Sequence, residues 1–184
     1  MNIDQLREDS ARKQKKGIHF IIGSVIIWVA VFLIHSTAMD IDSKNLFTFC
    51  ATAPLMPIAY FISKILKIDF TQKDNPLTSL GLLFSANQML YLLIAMWVMN
   101  QQPEKLVMVL AMIFGAHLLP YSWLYKSITY RVLSVVITIG CLIVGILFEP
   151  KIVALVMVIT EIIFVIALVI ELRVFAGNEE EVEA

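Results

Sequence analysis

Residues 152–175 read IVALVMVITEIIFVIALVIELRVF, and this one stretch decides the class of fold. An α-helix rises about 1.5 Å per residue, so roughly 20 apolar residues cross a hydrocarbon layer about 30 Å thick. Backbone N–H and C=O groups in lipid find no water, so a crossing segment must satisfy them within itself and is helical. Working back along the chain, five further runs meet the same test: Ile18–Ile34, Leu46–Leu66, Leu77–Met99, Leu106–Leu124 and Val132–Phe148. The alternation of polar and apolar positions that a membrane barrel requires is absent. The sequence therefore predicts an all-α, polytopic transmembrane bundle of about six spans, with the lipid bilayer as its first partner.

Composition agrees. Apolar residues make up 59% of the chain and charged residues 16%, and the charges cluster between the runs instead of coating a surface. A net charge of −1 provides no field for nucleic acid. Cys50 and Cys141 lie inside apolar runs and read as packing residues, with no metal or disulfide pattern around them.

Loop charges set an orientation. Arg7, Arg12, Lys13, Lys15 and Lys16 precede the first run, Lys64, Lys67 and Lys73 follow the second, and Lys126 and Arg131 follow the fourth. With Arg173 they are 11 of the 14 basic residues; Lys44, Lys105 and Lys151 lie on the other side. The positive-inside rule then predicts both termini in the cytoplasm, the parity that an even number of spans demands. The chain divides into a basic segment over 1–17, the transmembrane domain over 18–175 and an acidic, disordered tail over 176–184. Ser36-Thr37-Ala38 would serve as a cleavage site, but a preceding run of about 17 residues exceeds a signal peptide's apolar core and reads as an uncleaved anchor.

Aromatic side chains gather at the run ends: Tyr60, Phe61, Tyr121, Trp123, Tyr125 and Tyr130 on the basic side, Trp97 and Phe148 on the other. They read as an interfacial belt, with a ligand-binding cage as the sharper alternative. Ser134, Thr138, Cys141 and Gly145 share one stripe of the fifth run, as Ala111, Gly115 and Ser122 do of the fourth. Small residues let backbones approach where no hydrophobic effect drives association, so these stripes predict helix seams, within one bundle or in a homo-oligomer.

The residues with chemistry to offer are polar groups near mid-membrane: Glu161, His117, Asn87 and Gln88. A charged group there costs about 2.5–3.5 kcal/mol on insertion scales and usually faces a bundle interior. A Glu161–His117 pair could pass a proton or hold a cation; the same residues could equally act as pins between helices. Asn87 and Gln88 point about 100° apart, so they cannot both face one partner. Pro54 and Pro57 should kink or break the second run near 50–53, and Pro120 repeats the theme just after His117.

The stretches Lys16-Gly17-Ile18-His19-Phe20, Ser43–Ala53, Asn75-Pro76-Leu77-Thr78, Asn87–Tyr91 and Phe114–Trp123 resemble a family of small bacterial membrane proteins without assigned function. The resemblance spans about Lys16 to Phe148. It implies a bacterial cytoplasmic (inner) membrane and supplies neither a substrate nor catalytic residues. No nucleophile elbow, His-Glu-x-x-His motif or phosphate-binding glycine loop appears. The histidines are His19, His35 and His117, with a single one at mid-depth, too few to hold haem or zinc within one chain. No cofactor or metal is expected. Small-solute or ion transport through Glu161 and His117 is the leading expectation, an accessory or scaffold role the second, and an intramembrane enzyme the third. The substrate stays unnamed.

Overall fold

A computed structural model describes residues 2–70 and 74–183, with side chains described as far as residue 175. Lys73, counted above among the basic residues, and the acidic tail's side chains lie outside the described residues. Helix α1 (Ile3–Lys13) opens on a reciprocal cap in which Asn2 accepts from the Gln5 amide and Gln5 accepts from the Asn2 amide. It is too polar and too short to cross a bilayer and lies against one end of the bundle. Six apolar helical segments follow, each long enough to span: α2 (Ile18–His35), the broken pair α3 (Ile41–Thr52) and α4 (Leu55–Ile65), α5 (Leu77–Gln101), α6 (Leu106–Leu124), α7 (Ile128–Leu147) and α8 (Pro150–Glu183).

Two spans start earlier than their apolar runs suggested. Asp40 caps α3 by accepting from the Ser43 amide at 2.9 Å and its hydroxyl at 2.8 Å. Ser127 caps α7 by accepting from the Tyr130 amide at 3.3 Å. The caps add a polar first turn that hydropathy alone does not read as helix. The break in the second span falls between Thr52 and Leu55, with Pro54 as the residue before α4. Pro57 lies in the first turn of α4, where its missing N–H is no loss. Helix α6 runs unbroken past Pro120.

The ends of α4 and α6 close in left-handed turns built on Lys67 (φ 52°) and Lys126 (φ 49°), where glycine is usual. Lys15, Lys16 and Gly17 are all left-handed, and they turn the chain from α1 into α2. Gly17 is favoured on two counts: its φ of 69°, and the Tyr125 ring and Tyr130 hydroxyl that would crowd a Cβ at 3.2 Å.

The core is formed by α2, α6, α7 and α8. Helices α6 and α7 pack most extensively, followed by α2 against α8. The small-residue stripes meet in the first of these interfaces: a Cβ on Gly115 would come within 2.7 Å of Ile137 and Thr138, and one on Gly145 would collide with Met108. The α2–α8 interface has a 3–4 spacing on both sides, the pattern of knobs-into-holes packing. Ile21, Ser24, Trp28 and Val31 are buried on α2, and Ala154, Met157, Glu161, Phe164 and Leu168 on α8, the latter all 0% exposed; His35 is buried against α3, where it bonds Thr48. Helices α3 and α4 lean on α2, and α5 packs beside α6 at the edge of the bundle.

The belt expected of the basic-side aromatics needs correction. Tyr60, Phe61 and Trp123 are exposed as a belt requires, but Tyr125 and Tyr130 are buried and Tyr121 is half-buried. Their rings lie 5.9–6.1 Å apart, and their hydroxyls bond inward: Tyr125 to Gln14 at 2.7 Å, Tyr130 to the Lys16 carbonyl at 2.9 Å, Tyr121 to the Gly81 carbonyl at 3.0 Å. A phenol with a protein acceptor within reach need not lie at the headgroups. Burial, with the Tyr121 phenol beside it, holds the Tyr125 phenol well above its usual range.

Candidate functional site

Glu161 sits at the centre of the α2–α8 seam, enclosed by Met157 and Phe164 one turn away on either side. Its Oε2 meets the Ser24 hydroxyl at 2.5 Å, and Oε1 has no hydrogen-bond partner among the described residues. Ser24 Oγ also lies 2.7 Å from the Ile21 carbonyl. A serine hydroxyl has one hydrogen and a carbonyl only accepts. Both contacts are satisfied together only when the carboxyl carries the second hydrogen and donates it to Ser24 Oγ. A carboxylate in this position would have no opposing cation, and an unpaired charge in a dry interface costs several kcal/mol.

His117 does not pair with Glu161. Its Nδ1 donates to the Phe114 carbonyl at 2.7 Å, and its ring stacks edge-on against Phe114 and Tyr121 on its own helix. Phe114 in turn touches Trp28, one turn along α2 from Ser24. The imidazole and the carboxyl that were expected to meet thus have separate partners, the Phe114 carbonyl and Ser24. Gln88 is half-buried on the turn that also carries Phe84, whose ring packs on Tyr121. Asn87 is exposed on the flank of α5 and donates to Tyr91 OH at 2.7 Å, its neighbour one turn on. Pro54 breaks its span and stands in the outer α3–α4 pair, away from the α2–α8 seam. The four polar residues thus lie on three helices, and none of these hydrogen bonds joins one of them to another.

A second polar cluster closes the end of the bundle beside α1. Lys16, 2% exposed, bonds Glu171 Oε1 at 2.8 Å, and Glu171 Oε2 accepts from the Ser127 hydroxyl at 2.7 Å. Lys15 donates to the Leu66 carbonyl at 2.8 Å, and Arg7 to the Trp123 carbonyl at 2.8 Å. Asn75 donates to the Leu6 carbonyl at 2.8 Å and to Asp9 at 3.0 Å. Basic residues that read in the sequence as orientation signals are thus also hydrogen-bond donors within the fold, and Ser24, absent from the predicted site, holds the carboxyl. Ser24 could have been found from its place between Ile21 and Trp28 on a 3–4 stripe; nothing in the sequence pairs Lys16 with Glu171. At the opposite end an open depression of about 580 Å³ is lined by Glu104, Lys105, Phe148 and Glu149 among others, none of them an expected site residue. Among the described residues no three His, Cys, Asp or Glu side chains converge as a metal site requires.

Six apolar spans about a dry, carboxyl-bearing seam define a multi-pass integral membrane protein. The chain belongs to a family of unknown function (DUF7010), which it matches over residues 3–171. No curated protein and no solved structure matches it.

Proposed function

We propose that this protein moves a small solute or ion across a bacterial cytoplasmic membrane, with Glu161 as the group that takes up and releases a proton. The observation that carries the reading is the Ser24 hydroxyl held between the Ile21 carbonyl and Glu161, an arrangement suited to a carboxyl that gains and loses one hydrogen. The free Oε1 leaves a position for an entering water or cation. His117, bonded to the Phe114 carbonyl of its own helix, acts apart from this step. Eleven of 14 basic residues on one side support the orientation with both termini in the cytoplasm.

An accessory or scaffold role is the second reading, favoured by the Ser24–Glu161 bond because it joins α2 to α8. Reconstitution into liposomes with an enclosed pH dye separates the two. Under an imposed pH gradient the parent protein should conduct, and Glu161→Gln, which keeps the shape and can still donate an N–H to Ser24 Oγ, should not. Normal flux in Glu161→Gln would remove the carboxyl from the mechanism. No flux in the parent, together with a large loss of stability in Glu161→Gln, would favour the scaffold.

A further inference from the structure

Helix α5 carries a stripe with the same 3–4 spacing as the filled α2–α8 seam, but none of the described residues fills it. Leu83, Asn87, Leu90, Ile94, Trp97 and Gln101 follow at intervals of four, three, four, three and four. All six are exposed, Leu83 at 63%, Leu90 at 63% and Trp97 at 65%. In lipid, exposed leucine alone needs no cover, because acyl chains solvate it well. Asn87 is different. It stands in the middle of the stripe, and its amide has one bond, from Nδ2 to Tyr91 OH on the same helix. Among the described residues its carbonyl oxygen and second N–H have no partner, which in a span exposed to hydrocarbon would be costly.

We propose that α5 is the dimer interface of this protein and that its occupant is α5 of a second copy. Two copies related by a twofold axis along the membrane normal place their α5 helices parallel, with Asn87 opposite Asn87. An amide is both donor and acceptor, so it is its own complement across such an axis; a carboxylate or an ammonium is not. A single asparagine in an otherwise apolar 3–4 stripe is also the device that fixes register in paired helices. Glu161, at the centre of the corresponding stripe in α8, already has its partner in Ser24 and leaves no such open face. The proposal does not depend on transport.

The test uses the full chain in phosphatidylcholine–phosphatidylglycerol vesicles, with Cys50→Ser and Cys141→Ala as background. Single cysteines are placed on the stripe (Leu83→Cys, Leu90→Cys, Trp97→Cys) and beside it at Met89→Cys and Met96→Cys, which are as open to lipid but point to the other flank. Oxidation should give a band of twice the chain mass from the stripe positions and little from the two methionine positions. Asn87→Leu, on an outward face where folding does not depend on it, should weaken dimerisation about tenfold across a dilution series in lipid. Equal crosslinking on and off the stripe, a monomer at every protein-to-lipid ratio, a product that is not twice the chain mass, or an unchanged dimer equilibrium in Asn87→Leu would each overturn it.

Discussion

Removing the Ser24 hydroxyl should destabilise the protein only while Glu161 is present. In the parent, Glu161 has one bonded oxygen and one bare oxygen inside an interface from which water is excluded. Ser24→Ala leaves both without a partner, which costs about 1–3 kcal/mol for a buried polar group. At roughly 2–4 °C per kcal/mol for a chain of this length, the melting temperature should fall by about 5 °C. Glu161→Leu removes the group that needs a partner, and Ser24 keeps its bond to the Ile21 carbonyl. That variant should match the parent or exceed it by about 1–3 kcal/mol, as when buried polar groups give way to apolar ones of similar volume. Adding Ser24→Ala to Glu161→Leu should then cost little, so the cycle should show a coupling of at least about 1 kcal/mol. Thermal unfolding of the four purified proteins in one detergent, followed by helical circular dichroism, gives all four corners. An equal cost for Ser24→Ala in both backgrounds would show that hydroxyl and carboxyl are not coupled, and a loss above about 3 kcal/mol in Glu161→Leu would show that the carboxyl holds the helices together; either refutes the reasoning.

Breaking the Lys16–Glu171 pair by Lys16→Met should cost about 3 kcal/mol, since it strands a largely buried carboxylate; Lys16→Met with Glu171→Leu should recover much of it in the same melts. Gly115→Ala should cost about 1–3 kcal/mol, because the added methyl meets Ile137 and Thr138 at 2.7 Å and both belong to the facing helix. The Ser43 amide, followed by its hydroxyl, holds the exposed Asp40 carboxyl below the usual aspartate range. Its capping contribution is accordingly present above about pH 4, the unfolded value, and is lost as pH falls through the lower native one. Asp40→Ala should therefore lower the melting temperature at pH 7 and make progressively less difference in melts at more acidic pH.

The spans were legible because lipid imposes one requirement, about 20 apolar residues in a helix, that any run either meets or fails. Their polar beginnings at Ile41 and Ile128 were not, since hydropathy is blind to a side-chain cap. The mid-membrane position of Glu161 could be counted from the run's ends, whereas its partner could not. Depth is one coordinate, and position within the plane of the membrane is set by which helix packs on which. That is why His117 bonds within its own helix while Glu161 meets Ser24 of another. The tyrosines were misread for a related reason: a ring near a run's end can satisfy its hydroxyl at the headgroups or on a neighbouring backbone, and only the packed structure chooses.

Three helices end on carbonyls that a basic side chain from another part of the chain supplies with a hydrogen. Lys15 reaches Leu66 at the end of α4, Arg7 reaches Trp123 at the end of α6, and Lys105 reaches Gly145 near the end of α7. In each case the donor is made before the acceptor. A chain entering the membrane from its N-terminus thus has the closing cation already in place when each of these helices is completed. The order of synthesis and the order of closure coincide, and none of these three ends has to wait for a later segment to satisfy its exposed carbonyl.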